Sequence, residues 1–518
     1  MKAFLMYRNR DFDPQQPLPP NEEALRQDLE LDTLFEAMAQ EDAFLSKIVK
    51  KAVLSGENDL EVIRYRQHVL KDCLHKPEVV REIYDITVQS HDNKKKHWLG
   101  IFTRYPGGIL SSAIGMLEMF VGLLKKLRRI AGESAGKFES EGFTRFFAMI
   151  TQELDDAYFS VVENHLHDLK FRDGVLLSAE LGPGNEGAHY VLRKPNQSGR
   201  GWMKRVFSKK APVYSFSIPR RDDSGARALG KLKDRGINLA ANALAQSADH
   251  IDCFFNMLRV ELAFYIGCLN LYGQLARIQA PITFPVPAAS GERRHHFTGL
   301  YDVCLALTLQ KSVVGNAINA DDKDLVIITG ANQGGKSTFL RSIGLAQLMM
   351  QCGMFVPAES FGANVCSGFF THYRREEDAS MQSGKLDEEL GRMNEIVSRI
   401  TLDSIVLFNE SFAATNEREG SEIARQIVSA LVEKGIKVFF VTHFYEFAHG
   451  FFEQGRPNIM FLRAERRADG VRTFKLTPGE PLPTSYGEDL YRTIFEGGRG
   501  AACAPGAKSR KYRNTSGV

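Results

Sequence analysis

The chain has 518 residues, 43% of them hydrophobic and 25% charged, a balance that excludes a disordered or fibrous protein and, at this length, calls for about two to four domains. Its formal net charge of +3 conceals one strongly basic stretch. The seven cysteines, at 73, 253, 268, 304, 352, 366 and 503, include no CxxC pair, so neither a disulfide framework nor a zinc site is indicated and a reducing cytosol fits.

The charged stretch Met1–Arg10 has no apolar core of signal-peptide length, so secretion is not indicated and a cytoplasmic location is expected. Residues 21–51 and 58–97 carry apolar positions at three- and four-residue spacing, which predicts amphipathic helices. Asn58 stands three residues before Glu61, a capping arrangement for a helix through Leu60, Ile63, Val69 and Leu70. The longest apolar run, Ile109 to Leu124, contains Ser111, Ser112 and Glu118 and is shorter than a membrane span; it reads as a buried helix, and no membrane contact is expected. Ile109–Ile130 and Phe138–Leu169 predict an antiparallel helix pair about the Gly132–Gly136 link. Val175–Leu181 and Ala188–Leu192 flank the Gly-rich Gly182–Gly187, which predicts a β-hairpin.

Between Arg193 and Arg235 stand thirteen Lys or Arg against three Asp, a local excess of ten positive charges, so the rest of the chain sums to −7. Arg200, Lys204, Arg205, Lys209, Lys210, Arg220 and Arg221 are interleaved with Trp202, Phe207, Tyr214 and Phe216, a mixture suited to phosphate neutralisation with some stacking. These are candidate DNA contacts; a solvated loop or a protein-docking surface is the alternative. Ile237 to Gln279 then runs without proline at helical spacing, roughly 60 Å if continuous, and Pro281, Pro285 and Pro287 mark a boundary after it.

Leu325–Thr329 is an apolar, β-branched run of the kind that forms a buried parallel strand. It leads into Gly330-Ala331-Asn332-Gln333-Gly334-Gly335-Lys336-Ser337, a complete G-x-x-x-x-G-K-S phosphate loop. Its glycines let backbone N–H groups surround phosphate oxygens, and the helix that follows adds its N-terminal dipole. Lys336 supplies charge to the β- and γ-phosphates, the Ser337 hydroxyl can ligate Mg²⁺, and Thr338 can add a phosphate contact. A second strand, Ser404–Phe408, ends in Asn409-Glu410, where a metal ligand and a general base or water-positioning group belong. A third, Val438–Val441, ends in Thr442-His443, which can put a histidine beside the γ-phosphate. ATP and Mg²⁺ are therefore the expected ligands, with Ser337, Asn409 and Glu410 at the metal and Glu410 and His443 in the chemistry.

Thr329–Thr338 is similar to the TGPNxGGKST loop of the MutS family of DNA-repair ATPases; Phe355-Val356-Pro357-Ala358 resembles its YVPA, Val441–Glu446 its ATHYxEL, and Ser485-Tyr486-Gly487 its SYG. Arg64-Tyr65-Arg66-Gln67 and the long helices resemble that family's helical core and levers. The resemblance implies an ABC-type P-loop ATPase domain that dimerises head to tail, with Ser383 and Gly384 in the segment presented in trans and Thr415 and Asn416 in the loop across the interface. A homodimer is expected.

The departures shape what is expected of the activity. The stretch before Leu60 supplies no aromatic-x-Glu wedge, so the chain reads as a short member lacking the mismatch-recognition domain. Asn409 stands where the family's metal-binding Asp belongs, which removes a charge from the Mg²⁺ site and predicts slow hydrolysis. Lys385-Leu386-Asp387 replaces a serine- and threonine-containing run, and the base-stacking aromatic expected before the first strand is missing, with Val313-Val314 nearby. The expected organisation is an N-terminal helical segment (1–100), an all-α core and levers (101–287) with the hairpin and basic segment at 174–235, an α/β ATPase domain (288–496) and a disordered tail (497–518). The expected function is DNA clamping through ATP-driven lever motion, and its rival an ATP-switched scaffold for a protein partner.

Overall fold

Prolines and acidic caps cut the helical part of the chain into shorter pieces than its periodicity predicts. The computed structural model describes residues 1–97, 105–172, 174–194, 214–375, 384–467 and 470–483. They divide into two compact units whose segments alternate along the sequence: Met1–Gln16, Ala43–Val49 and His68–Leu269 form one, and Pro17–Asp42, Lys50–Gln67 and the chain from Asn270 onward form the other.

The 21–51 region is three helices, α1 (Glu22–Asp28), α2 (Leu31–Ala39) and α3 (Ala43–Leu54). Glu30, Gln40 and Glu41 take left-handed backbone angles between them, which no helix can continue through. The 58–97 region is two, α4 (Leu60–His75) and α5 (Pro77–His97). Pro77 opens the second because it lacks the N–H a helix interior needs and suits a first turn. The cap of α4 is Asp59 rather than Asn58: the Asp59 carboxylate accepts from Glu61 N at 2.8 Å, while the Asn58 side chain accepts from Gln351. A single helix, α6 (Pro106–Ser134), covers the predicted Ile109–Ile130, and the second partner is split into α7 (Glu141–Glu153) and α8 (Asp156–Asp168) by the Asp155 cap on Tyr158 N.

The first unit's core is aromatic. Phe138, Phe143, Phe146 and Phe147 pack ring on ring, and Phe120 of α6 stacks on Phe255 at 5.8 Å. Phe255 belongs to α9 (Asp223–Arg277), 55 residues long, which begins fourteen residues before the predicted Ile237 start. The basic stretch is therefore not all loop: from Asp223 it is helix. β1 (Leu176–Leu181) and β2 (Gly187–Arg193) pair antiparallel as the turn residues predict. Helices at Pro106–Lys137 and Asp223–Arg277 are long and apolar enough to cross a membrane by length and composition; the apolar stretch of the second is 83% buried, as in a core helix.

The second unit is α/β. Its smaller sheet is built from β3 (Val286–Ala288), β4 (His295–Leu300), β5 (Asn316–Asn319) and β7 (Ser360–Asn364), in the order β3-β7-β4-β5, with the short helix α10 (Val303–Leu309) between β4 and β5 in the chain. In its larger sheet β6 (Leu325–Gly330), β8 (Phe369–Tyr373), β9 (Ile405–Asn409), β10 (Lys437–Val441) and β11 (Ile459–Arg466) are parallel and β12 (Arg472–Pro478) is antiparallel at the edge, in the order β12-β11-β6-β10-β9-β8. The helix α11 (Lys336–Gln351) follows β6. The alternate residues Leu325, Ile327, Phe408, Val438 and Phe440 share one core with α12 (Lys385–Arg399), α13 (Glu417–Glu433) and α14 (Tyr445–Phe452). β6, β9 and β10 are buried along almost their whole length, as a parallel sheet covered on both faces requires. Their C-terminal ends emerge side by side.

Candidate nucleotide-binding site

β6 ends at Gly330 and α11 begins six residues later, so the loop 330–335 bridges a strand end and a helix N-terminus. Gly330 has φ +108°, and a Cβ there would lie 2.8 Å from Ala464 N on the adjacent β11. Gly335, at φ +85°, is the residue that caps α11. Glycine alone allows both turns without strain. Lys336 is only 5% exposed, and its Nζ donates to Gly330 O at 3.1 Å and Ala331 O at 3.0 Å. Burial pushes its pKa down, against the pull of the Glu410 carboxylate.

The ends of β9 and β10 meet this loop. Ser337 Oγ donates to Asn409 Oδ1 at 3.0 Å, and His443 Nε2 lies 2.8 Å from Glu410 Oε1. Glu410 N donates to Val441 O, which fixes the turn after β9 against the end of β10. The His443 hydrogen bond holds the Glu410 carboxyl below the usual carboxylate range; burial opposes it, and Lys336 and Arg374 reinforce it. Glu410 has a left-handed φ of 55°, a costly conformation for a side chain of this size. The Ser337 hydroxyl and Asn409 carboxamide in contact, with the carboxylate of the next residue, Glu410, are hard oxygen donors of the kind Mg²⁺ takes, and a buried ammonium bonded to main-chain carbonyls is a charge suited to a phosphate. The residues present fit both groups.

Beside them lies a cavity of about 850 Å³, lined by Asn332–Phe339, Glu410 and His443 and also by Tyr301, Leu309, Lys311–Val314 and Phe474. Phe474, on β12, brings an aromatic ring to the wall of this cavity. It stands some 140 residues beyond the loop, and only the sheet order β12-β11-β6 brings it there. Asn316 of β5 holds it in place, donating to Phe474 O at 3.2 Å and accepting from Leu476 N at 2.8 Å. No local signal marks this residue. Val313 and Val314 do line the cavity.

Gly384 caps α12, and Ser383 lies outside the described residues. Asn416 caps α13 by accepting from Glu419 N, and Thr415 Oγ1 donates to the Glu419 carboxylate, so both serve that helix end within this chain. Arg220 and Arg221 are exposed, as are Tyr214 (91%) and Phe216 (85%); Arg200, Lys204, Arg205, Lys209 and Lys210 lie outside the described residues. Among the described residues no group of three or more His, Cys, Asp or Glu side chains could hold a metal ion by itself.

Comparison with known proteins matches two successive stretches of the chain. Residues 58–278 match the MutS2 N-terminal domain and residues 326–493 match MutS domain V. The chain is 32% identical over 234 residues to the DNA mismatch repair protein MutS of Thermotoga neapolitana and 38% identical over 235 residues to that of Thermotoga maritima, covering 44% and 45% of this chain and 29% of each relative. It is 27% identical over 298 residues to human MutS protein homolog 4, covering 54% of this chain and 30% of that protein. The matched region thus spans less than a third of these relatives. With two MutS domain models matched in order and the loop, strand ends and cavity arranged as above, the chain is a member of the MutS family.

Proposed function

We propose that this protein binds ATP with Mg²⁺ in the cavity beside β6 and hydrolyses it slowly, as an ABC-type P-loop ATPase. The observation that carries the reading is that Lys336, Ser337, Glu410 and His443 line one cavity where β6, β9 and β10 end, with Asn409 bonded to Ser337 behind them. The backbone of Gly330–Gly335 and the α11 N-terminus bind the phosphates, and Thr338 adds a hydroxyl. Lys336 exchanges its two carbonyl partners for β- and γ-phosphate oxygens. Ser337, Asn409 and Glu410 hold Mg²⁺, which when bound neutralises charge on the phosphates. Glu410, kept ionised by its surroundings, orients and deprotonates the attacking water, and His443 Nε2 can leave Glu410 for the γ-phosphate. Phe474 offers its ring to the base.

The side chains of Glu410 and His443 are each about 30% exposed, which agrees with a site that a second copy closes through Ser383 and Gly384, with Thr415 and Asn416 at the border. Lever motion driven by this cycle would grip and release DNA, for which exposed Arg220 and Arg221 beside Tyr214 and Phe216 are suited.

The test is turnover and binding by a Glu410→Gln form. It should bind ATP within about threefold of the parent while hydrolysis falls on the order of 10²–10⁴-fold; equal hydrolysis would falsify the assignment of the base. For the DNA role, homoduplex, mismatched, branched and single-stranded DNA are compared with and without ATP. No binding above the non-specific level to any of them would turn the reading towards a protein partner.

A further inference from the structure

The turn that carries Glu410 is strained twice over, with φ of 55° at Glu410 and 65° at Phe412. Conformations of this kind persist only where surrounding contacts impose them. Ser411, between the two, is fully buried, and its hydroxyl lies 2.5 Å from His372 O and 2.8 Å from His372 Nδ1. His372 sits on β8, paired with Phe408 of β9, and its ring stacks on Phe412 at 5.2 Å. Its other nitrogen, Nε2, lies 2.9 Å from the main-chain oxygen of Glu389 on α12. A carbonyl only accepts, so Nε2 carries the hydrogen. Burial holds the ring neutral, leaving Nδ1 to accept from Ser411, whose one hydrogen serves both nearby acceptors.

An unbroken chain of buried groups therefore runs from α12 through His372 to the turn that aims Glu410. The cap before the first residue of α12 is Gly384, the described end of the segment read as presented to a second copy. We propose that His372 is a positioning residue: through Ser411 it holds Glu410 in its working geometry, and through Glu389 it makes that geometry depend on where α12 stands. This rests on the reading of Glu410 as the group that activates water. Neither His372 nor Ser411 touches the nucleotide cavity, so their loss should leave nucleotide binding intact.

Two substitutions cut the chain at different places. His372→Asn keeps a polar atom near Ser411 and loses the reach to Glu389; His372→Gln keeps a donor for Glu389 and loses Ser411. Ser411→Ala removes one oxygen and serves as the variant least able to disturb folding. ATP turnover, fluorescent-nucleotide binding and amide exchange across residues 409–413 are measured for these three, for Glu410→Gln and for the parent. The expected result is a fall in kcat of about tenfold or more in each of the three, since small displacements of a catalytic group have such effects, with KM and nucleotide affinity within twofold. Exchange across 409–413 should quicken even without nucleotide. Parent-like kcat in all three beside an inactive Glu410→Gln would overturn the proposal and leave the hydrolysis reading standing. Loss of nucleotide affinity together with kcat would also overturn it, by making the role one of general stability. An inactive parent, or a Glu410→Gln form as fast as the parent, would remove the hydrolysis reading and this proposal with it.

Discussion

Lys336 in one unit and Glu261 in the other are both ionisable side chains buried against main-chain groups, and they serve different ends. In the α/β unit Lys336 donates to the carbonyls of Gly330 and Ala331; in the helical unit Glu261 of α9, fully buried, accepts from Leu5 N at 2.6 Å and Phe12 N at 3.1 Å. Tyr265 adds a hydrogen bond to Leu5 O. The electrostatic problem is the same in both, a charge removed from water and offered backbone dipoles in return. What differs is the surroundings. Lys336 borders a cavity of about 850 Å³, so a ligand can take its partners' place, whereas Glu261 is sealed under the buried Leu5, Met6 and Phe12. Burial of a charge alone therefore marks no site; burial at the wall of a cavity does.

Four experiments break or sharpen this contrast. The largest effect is expected from Lys336→Ala, which should weaken ATP binding by on the order of 100-fold, the worth of one or two charge-assisted hydrogen bonds, with little change in the melting temperature. A melting temperature that collapses with affinity intact would make Lys336 structural, like Glu261.

Glu261 should show the reverse pattern. Burial pushes its carboxyl up to about 7, held from going higher by the N–H groups of Leu5, Phe12 and Met6. A pKa raised on folding means stability that is fully present below the unfolded value of 4.5 and is lost as pH rises through about 7. The loss amounts to about 3 kcal/mol. Urea unfolding followed by circular dichroism from pH 4 to 8 should show this slope, and Glu261→Gln should flatten it by about one proton while ATP binding stays unchanged. An unaltered slope would show that Glu261 titrates normally.

Asn409→Asp restores a negative charge beside Ser337 Oγ, and the Mg²⁺ concentration for half-maximal turnover should fall on the order of tenfold; an unchanged or higher requirement would remove Asn409 from the metal site. The smallest effect concerns exposed charge. Replacing Arg220 and Arg221 by Ala should reduce the salt slope of DNA binding by about 0.9 for each phosphate that is no longer neutralised. An identical slope would leave these arginines to solvent.

The phosphate loop was legible because its chemistry is local. Gly330, Gly334, Gly335, Lys336 and Ser337 all lie within eight consecutive residues, and the apolar runs before Gly330, Asn409 and Thr442 announced buried strands on their own. Helix breaks were less so: periodicity ran through Pro77 and Asp155, although a proline and an acidic cap are both signs of a helix start, whereas the left-handed residues Glu30, Gln40 and Glu41 carry no such mark. The start of α9 at Asp223 was hidden by charge, since Lys and Arg that read as a phosphate-binding loop are also good helix formers.

By itself, then, the order of residues determined the loop, the strands that end at it, the hairpin and the family resemblance, because each depends on neighbours along the chain. Tertiary structure alone decided that Glu410 would meet His443, that Phe474 would enter the cavity from an edge strand, and that His372 would stand between α12 and Ser411. These partners lie between 17 and about 140 residues apart, or on separate strands whose order in the sheet no local pattern records. The same holds for Glu261 and Lys336: their sequences show two ionisable residues, and only the packing around each reveals that one is sealed and the other faces space that a ligand can fill.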